Sequence, residues 1–248
     1  MKAMILAAGL GTRLLPLTTD RPKALVEIAG RTLLEITLSR LRAFGIREVI
    51  INVHHCADMI LEYLRTNGNF GMRIEVSRED VLLDTGGGLK KAAYFFLEDS
   101  NCFDEPFILH NVDVISTIDL PRMVQVHTES SALATLAVQD RETSRYLLFD
   151  EQLQLCGRRS GSEQKTEFAR TSQQVQALAF CGIHVISPRL FAMMIEEGAF
   201  SIINSYLQLA SRGNKILAFR ADEYYWRDVG RLDNLMQAEQ DLKQRVLP

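Results

Sequence analysis

A basic run, paired cysteines and a long apolar stretch are all missing from this 248-residue sequence, and each absence excludes a class of protein. Lysine plus arginine (28) nearly balance aspartate plus glutamate (31), for a net charge of −3, so a surface for nucleic acid or anionic membrane is not expected. The four cysteines, Cys56, Cys102, Cys156 and Cys181, form no C-x-x-C pair, which removes zinc-ligand spacing and suggests no disulfide framework. No apolar run approaches the roughly 20 residues that span a bilayer. Residues 3–8 are apolar but are cut short by Gly9 and Gly11. They read as a strand rather than a signal peptide, with the cytosol as the expected compartment.

What is present is the balance of an ordinary folded chain, 47% hydrophobic and 24% charged. Residues 4–8 are a continuous apolar run suited to a central parallel strand buried on both faces. Leu34, Leu38 and Leu41 recur at helical spacing over residues 32–44, with Gly45 as the stop. Residues 48–53 and 72–76 read as strands, with a helix over 57–65 between them. A helix over 88–97 and a strand over 107–112 follow. Strands alternating with helices predict an α/β fold, a doubly wound, mostly parallel sheet with helices on both faces. Asp119 is the expected N-cap of a further helix, with Pro121 in its first turn.

The pattern then loosens. Residues 133–138, 146–149 and 153–156 read as strands, the last two as a hairpin, and the polar stretch 157–174 as a mobile loop or surface excursion. Strands over 177–186, 215–220 and 224–229, and helices over 188–196, 202–210 and 232–245, complete the chain. Without a repeat or a clean linker, residues 1–248 are read as a single domain.

The chemistry begins at the end of the first strand, where ligands bind in open α/β sheets. Leu6, Ala7, Ala8, Gly9, Leu10, Gly11, Thr12 and Arg13 form a loop whose glycines let backbone N–H groups approach phosphate oxygens. Arg13 adds a permanent planar cation, and Pro22-Lys23 brings a second. A glycine pair alone would be read as a tight turn. Here Gly9 to Arg13 is followed by Pro16-Leu17-Thr18, Pro22-Lys23, Leu25 and Gly30, a longer signature that is neither G-x-G-x-x-G nor a P-loop.

That signature resembles the sugar-phosphate nucleotidyltransferases, whose opening G-x-G-T-R-L-x-P-L-T followed by P-K is matched from Gly9 to Thr18 and at Pro22-Lys23. Ala7-Ala8 stand where many members carry two glycines. In length and in Asp84-Thr85-Gly86-Gly87-Gly88 the chain is similar to the short N-acetylmuramate-1-phosphate uridylyltransferases. The resemblance implies a Rossmann-like, GT-A-like fold, with a nucleotide-binding half at about 1–115 and a sugar-binding half at about 116–248. Thr85, Gly86 and Gly87 are implied to contact the nucleobase from a loop, and Asn111 and Gly182 the sugar phosphate. The partners implied are an NTP and a sugar 1-phosphate, for a monomer or small homo-oligomer.

Transfer of a nucleotidyl group needs the phosphate charge neutralised, commonly by Mg²⁺ on one or two carboxylates. Asp113 follows a buried strand and should project from the same sheet edge as the loop. The resemblance makes Asp228, in Trp226-Arg227-Asp228-Val229-Gly230, its metal partner; alone, that residue reads equally as structural. Asn111-Val112-Asp113 departs from the family's Asn-Gly-Asp but keeps the carboxylate. Arg13, Lys23 and Asp113 are the expected catalytic residues. A Mg²⁺-dependent glycosyltransferase and a non-catalytic nucleotide-sugar sensor are the alternatives. Neighbouring His54 and His55 point to opposite faces of a strand, and Cys181 lies in an apolar one, so both are read as structural.

Overall fold

The computed structural model describes residues 1–98, 105–161 and 165–243. Cys102 and residues 244–245 of the expected terminal helix lie outside the described residues. The chain divides into two compact units, one of Met1–Leu83, Leu109–Ile118 and Tyr224–Pro248, the other of Asp84–Ile108 and Asp119–Glu223.

In the first unit the strand Lys2–Leu6 pairs in parallel with Glu48–Val53, which pairs in parallel with Arg73–Arg78. The Leu109–Asn111 end of the strand Phe107–Asn111 lies on the other side of Lys2–Leu6. Ala3, Met4, Ile5, Val49, Ile50 and Ile51 are fully buried, as apolar runs covered on both faces require. Helix Leu33–Ala43 starts where the Thr32 hydroxyl accepts from the Glu35 N–H at 3.0 Å, and it buries Leu34, Leu38 and Leu41 completely.

The second unit is largely antiparallel. Its long strand Gln176–Ile186 pairs with Ala134–Gln139 and, through its first residues, with Arg145–Phe149. Arg145–Phe149 makes the expected hairpin with Leu155–Ser160, and Ile216–Arg220 joins Ala134–Gln139 in parallel. Helix Leu120–Ser130 begins as expected, the Asp119 carboxylate accepting from the Arg122 N–H at 2.9 Å. Phe96, Phe107 and Phe191 stack against one another there, with Phe96 and Phe107 buried.

Two expectations are corrected here. The stretch 157–174 is not a loop throughout: Lys165–Phe168 pairs antiparallel with Leu155–Ser160, and the Arg170 guanidinium bonds to the buried Asp150 carboxylate. Charged side chains hid a hairpin that is held by backbone bonds. The Gly86-Gly87-Gly88 run is also not a loop before a helix, because it lies inside helix Asp84–Lys91, followed by a second helix, Ala93–Leu97. Tertiary contacts override its low helix propensity. The Gly86 N–H donates to the Phe200 carbonyl at 2.8 Å, and the Thr85 hydroxyl accepts from the Ile202 N–H at 3.0 Å. Among the described residues no helix is long and apolar enough to cross a membrane.

A Cβ on Gly86 would lie 2.4 Å from the Phe200 ring and 2.9 Å from the Phe200 carbonyl oxygen. Gly86→Ala should therefore cost about 1–3 kcal/mol of unfolding free energy in a denaturant titration, partly recovered by adding Phe200→Leu. An unchanged midpoint would contradict this packing.

Asp150 carries a pH signature. Burial raises its pKa, but the Arg170 bond and the N–H groups of Gln154 and Gln152 outweigh that and hold it below the usual carboxylate range. A folded pKa below the unfolded one stabilises the fold above about pH 4, and that stability is lost as acid protonates the group. Asp150→Asn should destabilise more at pH 7 than at pH 3, and an equal loss at both would refute the assignment.

Candidate active site

The loop after Lys2–Leu6 is folded on itself. Gly11 adopts φ +69°, the left-handed region, and a Cβ there would lie 2.9 Å from Thr18 Cγ2 and 3.2 Å from Lys23 Cβ. Its carbonyl accepts from the Leu14 N–H at 2.8 Å and from the Thr18 hydroxyl at 2.9 Å. Fully buried Leu14 pins the short 3-10 turn Thr12–Leu14, and a second such turn, Lys23–Leu25, follows Pro22. The spacing from Gly11 through Thr18 to Lys23 is thus one packed unit. Among the described residues nothing accepts from the N–H groups of Ala8, Gly9, Leu10 and Gly11, which leaves these donors available to an anion. The Ala7 N–H is different: it donates to Asn52 Oδ1 at 2.8 Å.

The carboxylates arrive on two paired segments. Trp226–Asp228 runs antiparallel to Val114–Ser116, Asp228 opposite Val114, and the Val229 N–H donates to the Asp113 carbonyl at 2.8 Å. Side chains alternate along a strand, so Arg227 projects opposite to Asp228. It meets Asp241 of helix Leu232–Lys243 at 2.9 Å, where the Tyr225 hydroxyl also donates at 2.6 Å. From the other side Arg40 donates to the carbonyls of Ser116 and Ile118. Burial lowers its pKa to about 10, which leaves it a cation at neutral pH.

Gly230 is the point where these parts meet. A Cβ there would lie 2.7 Å from Asp228 Oδ1, 2.9 Å from Arg13 Nη2 and 3.0 Å from Lys23 Nζ. The Gly230 N–H donates to Asp228 Oδ1 at 2.6 Å, and the Lys23 ammonium is paired with the Asp113 carboxylate. Arg13, Lys23, Asp113 and Asp228 therefore share one site in the first unit. Two carboxylates on adjacent segments form an all-oxygen donor set, the kind that suits Mg²⁺, which keeps several waters and uses one or two protein carboxylates. Among the described residues no group of three or more His, Cys, Asp and Glu is placed to hold a metal ion.

Asn111 ends the strand beside Lys2–Leu6, two residues before Asp113, and its carbonyl accepts from His110 Nδ1 at 2.8 Å. Burial and the Arg40 guanidinium hold the His110 pKa down at about 3, so that ring is neutral. Thr85, Gly86, Gly87 and Gly182 belong to the second unit, Gly182 within the irregular stretch of Gln176–Ile186 between Phe180 and His184. The Thr85 hydroxyl and the N–H groups of Gly86 and Gly87 are engaged with Ile202 and Phe200.

His54 donates to the Glu79 carbonyl at 2.7 Å, a structural role. Burial pushes the Cys181 thiol up to about 12, which leaves no nucleophilic thiolate at neutral pH. Sequence reasoning missed Asn52, Glu79, Arg40 and Asp241, none of which carries a local signal. The distant partners that give them their roles lie 14 to 78 residues away in the chain.

Known proteins resemble the chain over almost its full length. The profile of the Nucleotidyl transferase family matches residues 2–245. An N-acetylmuramate alpha-1-phosphate uridylyltransferase of Caulobacter vibrioides is 31% identical over 246 residues, covering 92% of this chain and 91% of that protein. A mannose-1-phosphate guanyltransferase of Yarrowia lipolytica is 29% identical over 232 residues, covering 93% of this chain but 61% of that protein. In fold, a UDP-glucose pyrophosphorylase solved with UDP-glucose superposes with a TM-score of 0.78 at 16% identity, over 98% of both chains. The match concerns the whole fold and not the glycine loop alone, and the chain belongs to the Nucleotidyl transferase family.

Proposed function

We propose that the protein transfers a nucleoside monophosphate from an NTP to a sugar 1-phosphate with the help of Mg²⁺, releasing pyrophosphate and forming an NDP-sugar. The observation that carries this reading is the meeting of Arg13, Lys23 and Asp228 around Gly230, with Asp113 paired to Lys23. An oxygen of the sugar phosphate attacks the α-phosphorus in line, the bond to the β-phosphate oxygen breaks, and pyrophosphate departs with the electron pair. The nucleophile is already an anion, so no base and no covalent enzyme intermediate are needed, and catalysis is positioning and charge stabilisation.

The unengaged N–H groups of Ala8 to Gly11, in the loop that opens at Leu6, and the Arg13 guanidinium hold the β- and γ-phosphates. Lys23, within reach of Asp113, balances charge where the two reacting phosphates approach. Asp113 and Asp228 would hold Mg²⁺, which supplies charge neutralisation at the α-phosphate and the sugar phosphate. Contact of Thr85, Gly86 and Gly87 with the base, and of Asn111 and Gly182 with the sugar phosphate, belongs to the same proposal. A glycosyltransferase taking a nucleotide-sugar donor would leave Arg13 and Lys23 without a task, and the retention of Arg13, Lys23, Asp113 and Asp228 together argues against a binding-only sensor. Uridylyl and guanylyl transferases are both among the relatives, and the similarity over most of both chains makes UTP with N-acetylmuramate 1-phosphate the first pair to test.

The test is pyrophosphate release from each NTP against a panel of sugar 1-phosphates. Lys23→Ala and Asp113→Asn should each lower kcat by about 10²–10³-fold with the fold intact by circular dichroism. Chelation of divalent cations should stop turnover. Full activity in Asp113→Asn, or sugar transfer from an NDP-sugar without NTP, would overturn the proposal.

A further inference from the structure

A polar relay runs beneath the phosphate loop. The first N–H after the strand Lys2–Leu6, that of Ala7, donates to Asn52 Oδ1 at 2.8 Å. Asn52 Nδ2 donates to Glu79 Oε1 at 2.8 Å, and Glu79 Oε2 accepts from the Leu83 N–H at 2.9 Å. All three residues are buried: Ala7 is 5% exposed, Asn52 3% and Glu79 4%. The orientation of the Asn52 amide is fixed by chemistry, since an N–H demands an oxygen on one side and a carboxylate demands a donor on the other. Unsatisfied polar groups this deep are costly, so each link enforces the next.

We infer that Asn52 and Glu79 are positioning residues for the triphosphate, fixing through Ala7 the direction in which the N–H groups of Ala8 to Gly11 emerge. A loop free to turn at Ala7 would present its N–H groups off target, and a misplacement of about 1 Å can cost about 10²-fold. This inference rests on the loop's holding an NTP, as proposed above.

The relay is directional, which supplies the test. In Asn52→Asp, a carboxylate oxygen faces Glu79 Oε1. In Glu79→Gln, the new amide turns its NH₂ toward either Asn52 Nδ2 or the Leu83 N–H. Combining Asn52→Asp with Glu79→Gln restores the alternation. The new carboxylate then accepts from the Ala7 N–H and from the glutamine NH₂, while the glutamine oxygen accepts from Leu83. The net charge is that of the wild type.

Steady-state kinetics with Mg²⁺, UTP and N-acetylmuramate 1-phosphate should show the KM for UTP raised about 10- to 100-fold in each single variant. The KM for the sugar phosphate should stay unchanged, and the double variant should return toward wild type. Amide hydrogen exchange at Ala7, measured without nucleotide, should be fast in the single variants and slow in the wild type and the double variant. A general loss of folded protein would lower turnover without raising one KM selectively. A wild-type KM for UTP in the single variants, or a double variant no better than the worse single one, overturns the positioning role. If the wild type takes no NTP, the proposed function fails, and the relay is then judged on exchange alone: equal exchange in all four proteins overturns it.

Discussion

The pairing of Lys23 with Asp113 is the constraint around which the first unit is arranged. Both side chains are largely withdrawn from water, 11% and 16% exposed, and each charge is balanced there by the other. The two residues lie 90 positions apart, so each needs its own device to reach the meeting point. Lys23 is delivered by the self-packed turn of Gly11, Leu14 and Thr18. Asp113 is delivered by the strand that ends at Asn111. Asp228 joins them only because its segment pairs with Val114–Ser116. Two cations and two carboxylates leave the site close to neutral, so an incoming anion meets a Lys23 already paired with Asp113 rather than a bare positive well.

The support behind these residues follows a common rule: what fixes a functional group is bonded on the side away from it. Asp228 faces the site while Arg227, one residue earlier, locks the same strand to Asp241. Arg40 binds backbone carbonyls past Asp113. The first unit thus commits buried polar groups to geometry, and the second unit adds aromatic stacking of Phe96, Phe107 and Phe191 to its own buried Asp150–Arg170 pair.

The parts of this protein that could be read in the sequence are those with short-range signals. Leu34, Leu38 and Leu41 repeat at the helical period, Asp119 precedes Pro121, and Gly9, Gly11, Arg13 and Lys23 sit within 15 residues. The alternating strands and helices indicate the α/β class, and the structure brings Arg13, Lys23, Asp113 and Asp228 to one place. Features made by distant partners could not be read. Three successive glycines argue for a loop until the Phe200 carbonyl and the Ile202 N–H close around them. A charged run argues for a loop until Arg170 finds Asp150. Asn52 lies in a strand that reads as plain core, and nothing local shows that its amide is spoken for by Ala7 and Glu79.

Gly11 carries a last consequence. Its carbonyl is tied to Leu14 and Thr18, and its Cα is packed against Thr18 and Lys23, all by groups of the protein itself. The shape of the loop is therefore set when the chain folds, and the conformational entropy of ordering it is lost then. On the proposed reading, a triphosphate arriving later finds the turn at Gly11 already made. Its contact energy goes into affinity and orientation instead of being consumed in ordering the loop.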